Sequence, residues 1–428
     1  MSETGDNSLL ERRRALMGSA YRLFYDEPVH LVRGEGVWLW DAAGRKYLDM
    51  YNNVPHVGHC HPRVVEAICR QAALLNTHTR YLHEHVVGLA ERLTALLPAD
   101  LDTAMFCCTG SEANELALRI ARTATGATGI IVTDFAYHGN TQAIYEITTE
   151  SCPPEKRPEY VVTVPVPDTY RGPHRGPEAG EQYAGHLHEA IERLAKRGLR
   201  PAAFVIDTIV SSGGVVTPPP GYLRMAAEIV REAGGLFVAD EVQPGFGRTG
   251  SHFWGFEADD VVPDLVTMGK PMGNGHPVSA VVARGELVAD FAAHGRYFNT
   301  FGGNPVSCAA ALAVLDVLEE ESLVQNALDV GGVLAAGLRH LAGSHDCVGD
   351  VRANGLFIAV ELVTDREQRS PATQLAGRVV NELRNRGVLT GSIGPNNNIL
   401  KLRPPMVLSA GDAEVFLGVF GEVLAELA

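Results

Sequence analysis

The 428-residue sequence has no apolar run approaching the roughly 18 residues that cross a bilayer, so no membrane span is expected. Its first residues, Met1 to Asn7, are polar and acidic and resemble no signal peptide. Cysteine is sparse and odd in number, seven in all, which argues against a disulfide framework and for reduced thiols in the cytoplasm. Positive charge is in deficit: the net charge of -15 argues against non-specific nucleic-acid binding, although an anionic substrate stays open because sites are locally charged. No Gly-x-x-x-x-Gly-Lys-Ser/Thr occurs, so there is no nucleotide P-loop, and Gly269-Lys270-Pro271 is not one. His56, His59, Cys60 and His61 crowd one stretch, but no second cluster completes a four-ligand zinc site, and Pro62 reads as a helix start. Internal repeats and low-complexity tracts are absent.

What remains is an ordinary globular composition, 46% hydrophobic and 20% charged, in a chain too long for one small core. After a polar tail, a short helix is expected over Ser8–Met17. A hairpin follows, Gly34–Asp41 and Lys46–Met50, turning at Ala42-Ala43-Gly44. Apolar runs at Thr103–Phe106, Gly129–Val132, Tyr160–Val164, Ala202–Ile206, Leu236–Ala239, Leu265–Met268 and Ser279–Val282 alternate with helical patterns such as Ser111–Ala124, Glu189–Lys196 and Leu223–Ala233. That alternation predicts an α/β fold with a mostly parallel sheet covered on both faces, and ligands at the carboxyl ends of its strands. Beyond the helix Pro305–Glu320 the pattern changes. Helices over Val324–Leu341, Thr373–Arg386 and Asp412–Leu427 surround a strand pair between Val351 and Val363, a smaller α+β unit. The expected division is 1–61, an N-terminal segment joining the small unit; 62–322, the large domain; and 323–428, the small domain. Glu155–Gly180, rich in Pro, Gly and charge, reads as a surface loop.

Two strand ends carry the chemistry. Asp240 closes one apolar run and Lys270 follows another, so adjacent strands can bring both to one end of a sheet. A lysine for a Schiff base and a carboxylate facing a ring nitrogen are what pyridoxal phosphate (PLP) requires. Two unit charges ~4 Å apart are worth about 4 kcal/mol at an effective dielectric of ~20, enough to keep such a nitrogen protonated. Gly110-Ser111 opens a helix just after the run Ala104–Cys107, where free N–H groups attract phosphate; alone this is equally an N-cap. Tyr137-His138 follows the run Gly129–Val132, and Tyr137 is suited to stacking on a flat ring, or is a loop aromatic. Thr300, in the turn Asn299–Pro305, can offer its hydroxyl to a phosphate in cis or from a second subunit.

The stretch Asp240-Glu241-Val242-x-x-Gly-x-Gly-Arg-x-Gly, with Gly269-Lys270 downstream, resembles the class III aminotransferases, which are fold-type I PLP enzymes. The resemblance covers nearly the whole chain, from Gly34-Glu35-Gly36 to Pro404-Pro405. It implies a seven-stranded large domain, Lys270 as Schiff-base lysine, Asp240 as partner of the pyridine nitrogen, and Gln243 near the phenolic oxygen. It further implies Gly110 and Ser111 at the phosphate, Thr300 from the neighbouring subunit, Tyr137 over the ring with His138 beside it, and a homodimer, or two dimers paired into a tetramer, with shared sites.

Within that family the segments Tyr51–Pro62, Leu75–His83, Asp264–Pro277 and Leu400–Met406 look most like the phospho-lyases of ethanolamine phosphate or phosphohydroxylysine. Lys401 stands where many family members have an arginine that grips a substrate carboxylate through two hydrogen bonds, which lysine cannot copy. Asp207-Thr208 stands where they have Glu-Pro; the phospho-lyases differ there too. Both departures favour elimination of phosphate from a small primary amine, with Lys401, Arg403, Arg80 and Asp207 as candidate substrate contacts. Amino transfer to a 2-oxo acid, elimination or replacement of another leaving group, and a non-enzymatic binding module are the competing readings.

Overall fold

The computed structural model describes residues 3–427. A helix spans Glu3–Met17, starting before the expected Ser8; Met1 and Ser2 of the expected tail lie outside the described residues. The hairpin follows as β1 (Leu31–Glu35), β2 (Trp38–Asp41) and β3 (Lys46–Asp49). Gly36, at φ +57, breaks the first expected arm into two strands. The turn between β2 and β3 is fixed by Asp41, whose Oδ1 accepts the Ala43 and Arg45 N–H groups at 3.0 and 2.8 Å.

The large sheet contains β4 (Thr103–Cys107), β5 (Gly129–Thr133), β6 (Val161–Val164), β7 (Pro201–Asp207), β8 (Leu236–Asp240), β9 (Leu265–Met268) and β10 (Ser279–Ala283). Its spatial order is β4-β10-β9-β8-β7-β5-β6. Only β10 runs antiparallel to its neighbours. All seven grow from the apolar runs, and their near-continuous burial follows from helices on both faces. The expected loop Glu155–Gly180 holds β6, and its last two residues begin a helix, Ala179–Lys196, much longer than the expected Glu189–Lys196. Gly180, in its first turn, lies where a Cβ would meet the Pro220 carbonyl oxygen at 2.3 Å. Helices Glu84–Ala95 and Gly285–His294 were not anticipated; each is short and buries only two side chains.

The remaining strands are β11 (Val348–Asn354), β12 (Phe357–Asp365), β13 (Ser370–Pro371), β14 (Val388–Leu389), β15 (Gly391–Ile393) and β16 (Ile399–Leu402). A sheet β11-β12-β16-β15 lies against helices Leu323–Ser344 and Thr373–Asn385, on which helix Ala410–Leu427 packs in turn. β14 pairs in parallel with β3, tying the hairpin to this end of the chain.

One joint connects that sheet to the loop after β8. At Gly331, in helix Leu323–Ser344, a Cβ would meet the Gly355 carbonyl oxygen at 2.3 Å. At Gly355, φ +54, a Cβ would meet backbone atoms of Arg248 and Thr249 at 2.5–2.6 Å. Backbone thus touches backbone twice in succession, and nothing there can yield as a flexible side chain would. Gly331→Ala is expected to cost about 2 kcal/mol or more, while Gly332→Ala, with open space around it, is neutral or slightly stabilising. Thermal unfolding of the two variants checks this: a lower Tm for the first only.

Candidate active site

The carboxyl ends of β4, β5, β7, β8 and β9 converge on a cavity of about 180 Å³. Register sets the neighbours: Asp207 lies beside Asp240, and Asp240 beside Thr267. Lys270 enters just beyond β9, Tyr137 and His138 in the turn after β5, and Gly110 and Ser111 at the start of helix Gly110–Thr125 after β4. That helix start is rigid: Thr109 and Glu112 form a reciprocal capping box. Ser111 Oγ accepts the Asn140 N–H at 3.1 Å, and Gly139 (φ +139) passes so close that a Cβ there would lie 2.3 Å from Ser111 Oγ.

Asp240 is held from behind. Its Oδ2 accepts His138 Nδ1–H at 2.7 Å and Asn114 Nδ2–H at 2.9 Å, and its Oδ1 accepts the Val242 N–H at 3.0 Å. Asn114 is itself fixed: its Nδ2 also donates to the His138 carbonyl at 2.7 Å, and its Oδ1 accepts the Thr267 hydroxyl at 2.6 Å. A carboxylate offers about four acceptor directions. Three are used, and the fourth is left for a ligand donor. His138 Nε2 is buried and without a partner.

The opposite wall is cationic. Lys401 and Arg403 are 3% and 7% exposed, yet neither forms an ion pair among the described residues. Both donate to one atom, Gln243 Oε1: Lys401 Nζ at 3.2 Å, and Arg403 through Nη1. Arg403 also lies 4.7 Å over the Tyr51 ring. Burial and then Arg403 hold the Lys401 amine well below the usual lysine range, against the pull of Asp207. Burial and Arg403 lower Lys270 likewise, opposed by Asp240 and Asp207. Asp207 is raised by burial and by Asp240. Its oxygens are already engaged, with the Ile209 and Ser211 N–H groups at 3.1 and 3.0 Å and with the Ser211 hydroxyl.

The structure therefore gathers Gly110, Ser111, Tyr137, His138, Asp207, Asp240, Gln243 and Lys270 around one cavity, with Lys401 and Arg403 against Gln243. It does not bring Arg80 or Thr300 to the cavity of their own chain. Both are exposed, and the Arg80 guanidinium lies 3.9 Å over Phe298, where an aromatic face and water offset its charge. Sequence reasoning missed Asn114 and Glu241. Asn114 falls four residues after Gly110, hence on the same helix face, which is a usable signal. Glu241, beside Asp240 but on the other side of the chain, is fully buried. It accepts the Thr208 hydroxyl at 2.7 Å and the Gly255 and Phe256 N–H groups at 2.9 and 3.0 Å. Burial outweighs these donors and pushes its carboxyl up to about 8.

The aminotransferase class-III family model matches residues 24–424. The chain belongs to the class III aminotransferase family. It is 45% identical over 426 residues to an alanine–glyoxylate aminotransferase 2-like protein of Drosophila melanogaster, covering 97% of this chain and 86% of the relative. It is 40% identical over 416 residues to ethanolamine-phosphate phospho-lyase homolog 1 of Caenorhabditis elegans, with 93% and 89% covered. Among solved structures it resembles a phospholyase from Arthrobacter in complex with phosphoethanolamine: 45% identity, TM-score 0.95, 98% of this chain and all of the other covered.

Enzymes of this family use PLP, and this chain is one of them. The residues present fit the cofactor: a free acceptor direction on Asp240, a capped helix start with the close-passing Gly139, and a buried lysine amine. Two outcomes test the fit. Gly139→Ala is expected to weaken cofactor retention at least ~10-fold, since a steric insertion of this kind costs about 1–3 kcal/mol; absorbance near ~410–430 nm after dialysis measures it. Asp240→Asn is expected to lower turnover by roughly 10³-fold, the equivalent of about 4 kcal/mol, with KM changed far less.

Proposed function

We propose that this protein is a lyase that removes phosphate from a small primary amine carrying a phosphate on the neighbouring carbon, ethanolamine phosphate or a close analogue. The observation that carries the reading is the convergence of Lys401 and Arg403 on Gln243 Oε1, two buried cations without a carboxylate in ion-pairing contact. Buried charges require compensation. An anionic substrate group arriving at Gln243 competes for the same two donors and supplies it. The far end of the cavity, Gly110 and Ser111, is then left for the cofactor's own phosphate.

PLP, when bound, supplies a carbonyl carbon for an amine and a protonated ring that withdraws electrons from the adjacent carbon. The rest is the work of the chain. Lys270 would hold the cofactor through Nζ, and its amine, when free, would take the proton from the carbon bearing nitrogen. Its lowered basicity suits that task, because burial and Arg403 disfavour the charged amine. Asp240, fixed by His138, Asn114 and Val242, keeps its negative charge behind the ring without needing to reorient. Gln243, with Oε1 turned to the cations, keeps Nε2 as a donor for the phenolic oxygen. Tyr137 covers the ring. The products are an aldehyde, ammonia and phosphate.

Three further readings belong with this one: a homodimer in which Thr300 and Arg80 reach the partner's site, a cytoplasmic location, and division of the chain at 61/62 and 322/323. Among the described residues no helix is long and apolar enough to cross a membrane, which is compatible with that location. The second reading of the reaction is amino transfer to a 2-oxo acid, favoured by the likeness to the alanine–glyoxylate aminotransferase 2-like protein. Incubating the holoenzyme with ethanolamine phosphate separates them. Stoichiometric inorganic phosphate and ammonia are expected; absence of both, with amino transfer to pyruvate or 2-oxoglutarate, overturns the lyase.

A further inference from the structure

A phosphate monoester poses a problem that the site so far described does not solve. Expelled as it stands, the dianion would leave as an unprotonated trianion, a poor leaving group, so a proton must reach the bridging oxygen as the carbon–oxygen bond breaks. Arg403 holds five donors but keeps its charge. Lys270 is occupied with the proton from carbon. Asp207 is bound to the Ile209 N–H, the Ser211 N–H and the Ser211 hydroxyl.

Resting on the phospho-lyase reading above, we propose that Lys401 is the acid that hands a proton to the departing phosphate oxygen. Its Nζ is buried, reaches Gln243 Oε1 at 3.2 Å and the Ser211 carbonyl at 3.4 Å, and lies 5.5 Å from the centre of the Phe357 ring. Four titratable groups face it. Arg403, just past the end of β16, and Lys270, just beyond β9, disfavour its charge. Asp207 at the end of β7 and Glu150 in the loop leading to β6 favour it. Burial and the cations prevail, so the charged form of the amine is disfavoured before substrate binds. An entering dianion reverses that balance, and Lys401 takes one proton from solvent.

The step then balances. Lys270 accepts the proton from the carbon bearing nitrogen, and that C–H pair becomes the new carbon–carbon double bond. The carbon–oxygen pair leaves with oxygen, which receives the Lys401 proton and departs as hydrogen phosphate. Lys401 returns to the neutral amine that its surroundings favour, so the same surroundings that disfavour its charge make it a willing donor. Arginine at this position, as in many aminotransferases, would hold an anion permanently and would not release a proton. The exchange of arginine for lysine thus has a chemical reason in a lyase.

The test compares holoenzyme with Lys401→Arg and Lys401→Gln on ethanolamine phosphate and ethanolamine O-sulfate, since sulfate leaves without a proton. For Lys401→Arg the expected kcat on the phosphate falls by ~10²-fold or more relative to that on the sulfate, with KM for the phosphate within a few-fold. Equal losses on the two substrates, or no loss on the phosphate, overturn the acid role. A second readout needs no turnover: calorimetry of sulfate binding at pH ~8 in two buffers of different ionisation enthalpy. Wild type is expected to take up about one proton and Lys401→Arg close to none; equal uptake overturns the proposal. If wild type releases no phosphate from ethanolamine phosphate, the lyase reading fails and the acid role with it. Phosphate release that is indifferent to Lys401→Arg removes the acid role alone.

Discussion

The hydrogen bonds that hold Asp240 are the constraint on which the site depends. A carboxylate at the end of a buried strand must be paired, and here His138, Asn114 and the Val242 amide pair it from three directions. Each partner comes from a different element: the turn after β5, the helix after β4, and the strand's own continuation. Thr267 on β9 fixes Asn114 in turn. The charge is therefore oriented by four separate pieces of the large sheet, and the cavity is what their carboxyl ends leave between them. A preorganised charge of this kind needs no reorganisation when a ligand's own charge changes.

Around that anion the site carries an excess of cations. Lys270, Lys401, Arg403 and Arg248 are all deeply placed, and among the described residues none has an ion pair. Arg248 is held instead by the Pro404 and Leu356 carbonyls at 2.7 and 3.2 Å and by His56 Nδ1 at 3.1 Å. Since His56 Nε2 meets the Phe246 carbonyl at 2.8 Å, its proton sits there and Nδ1 is the acceptor. Burial, and then the nearby Arg403, lower both lysines, so the charged form of each is disfavoured.

The pair Asp207-Thr208 shows how a short departure from a family pattern is absorbed. Asp207 turns back on the following chain, and the Thr208 hydroxyl reaches buried Glu241, which also ties down Gly255 and Phe256. Neither residue contacts Lys401 by hydrogen bond or ion pair among the described residues. Hydrogen bonds thus fix this wall of the pocket.

The seven apolar runs became the seven strands of the large sheet because burial on both faces leaves a continuous signal in sequence. Asp240, Lys270, Gly110 and Ser111 were legible for a related reason: strand ends and helix starts are where parallel sheets bind ligands, and the sequence marks both. Short helices with few core positions, such as Glu84–Ala95, which buries only Leu89 and Leu93, left too little trace. The three short strands near the C-terminus were equally silent, since two to four residues carry no period. What only the tertiary structure decided is partnership across long separations. Lys401, Arg403 and Arg80 are alike candidates in sequence, yet the chain folds the first two onto Gln243 and leaves Arg80 exposed. Charge type is written locally, whereas desolvation depends on what the rest of the chain places around each group, and no local pattern records that.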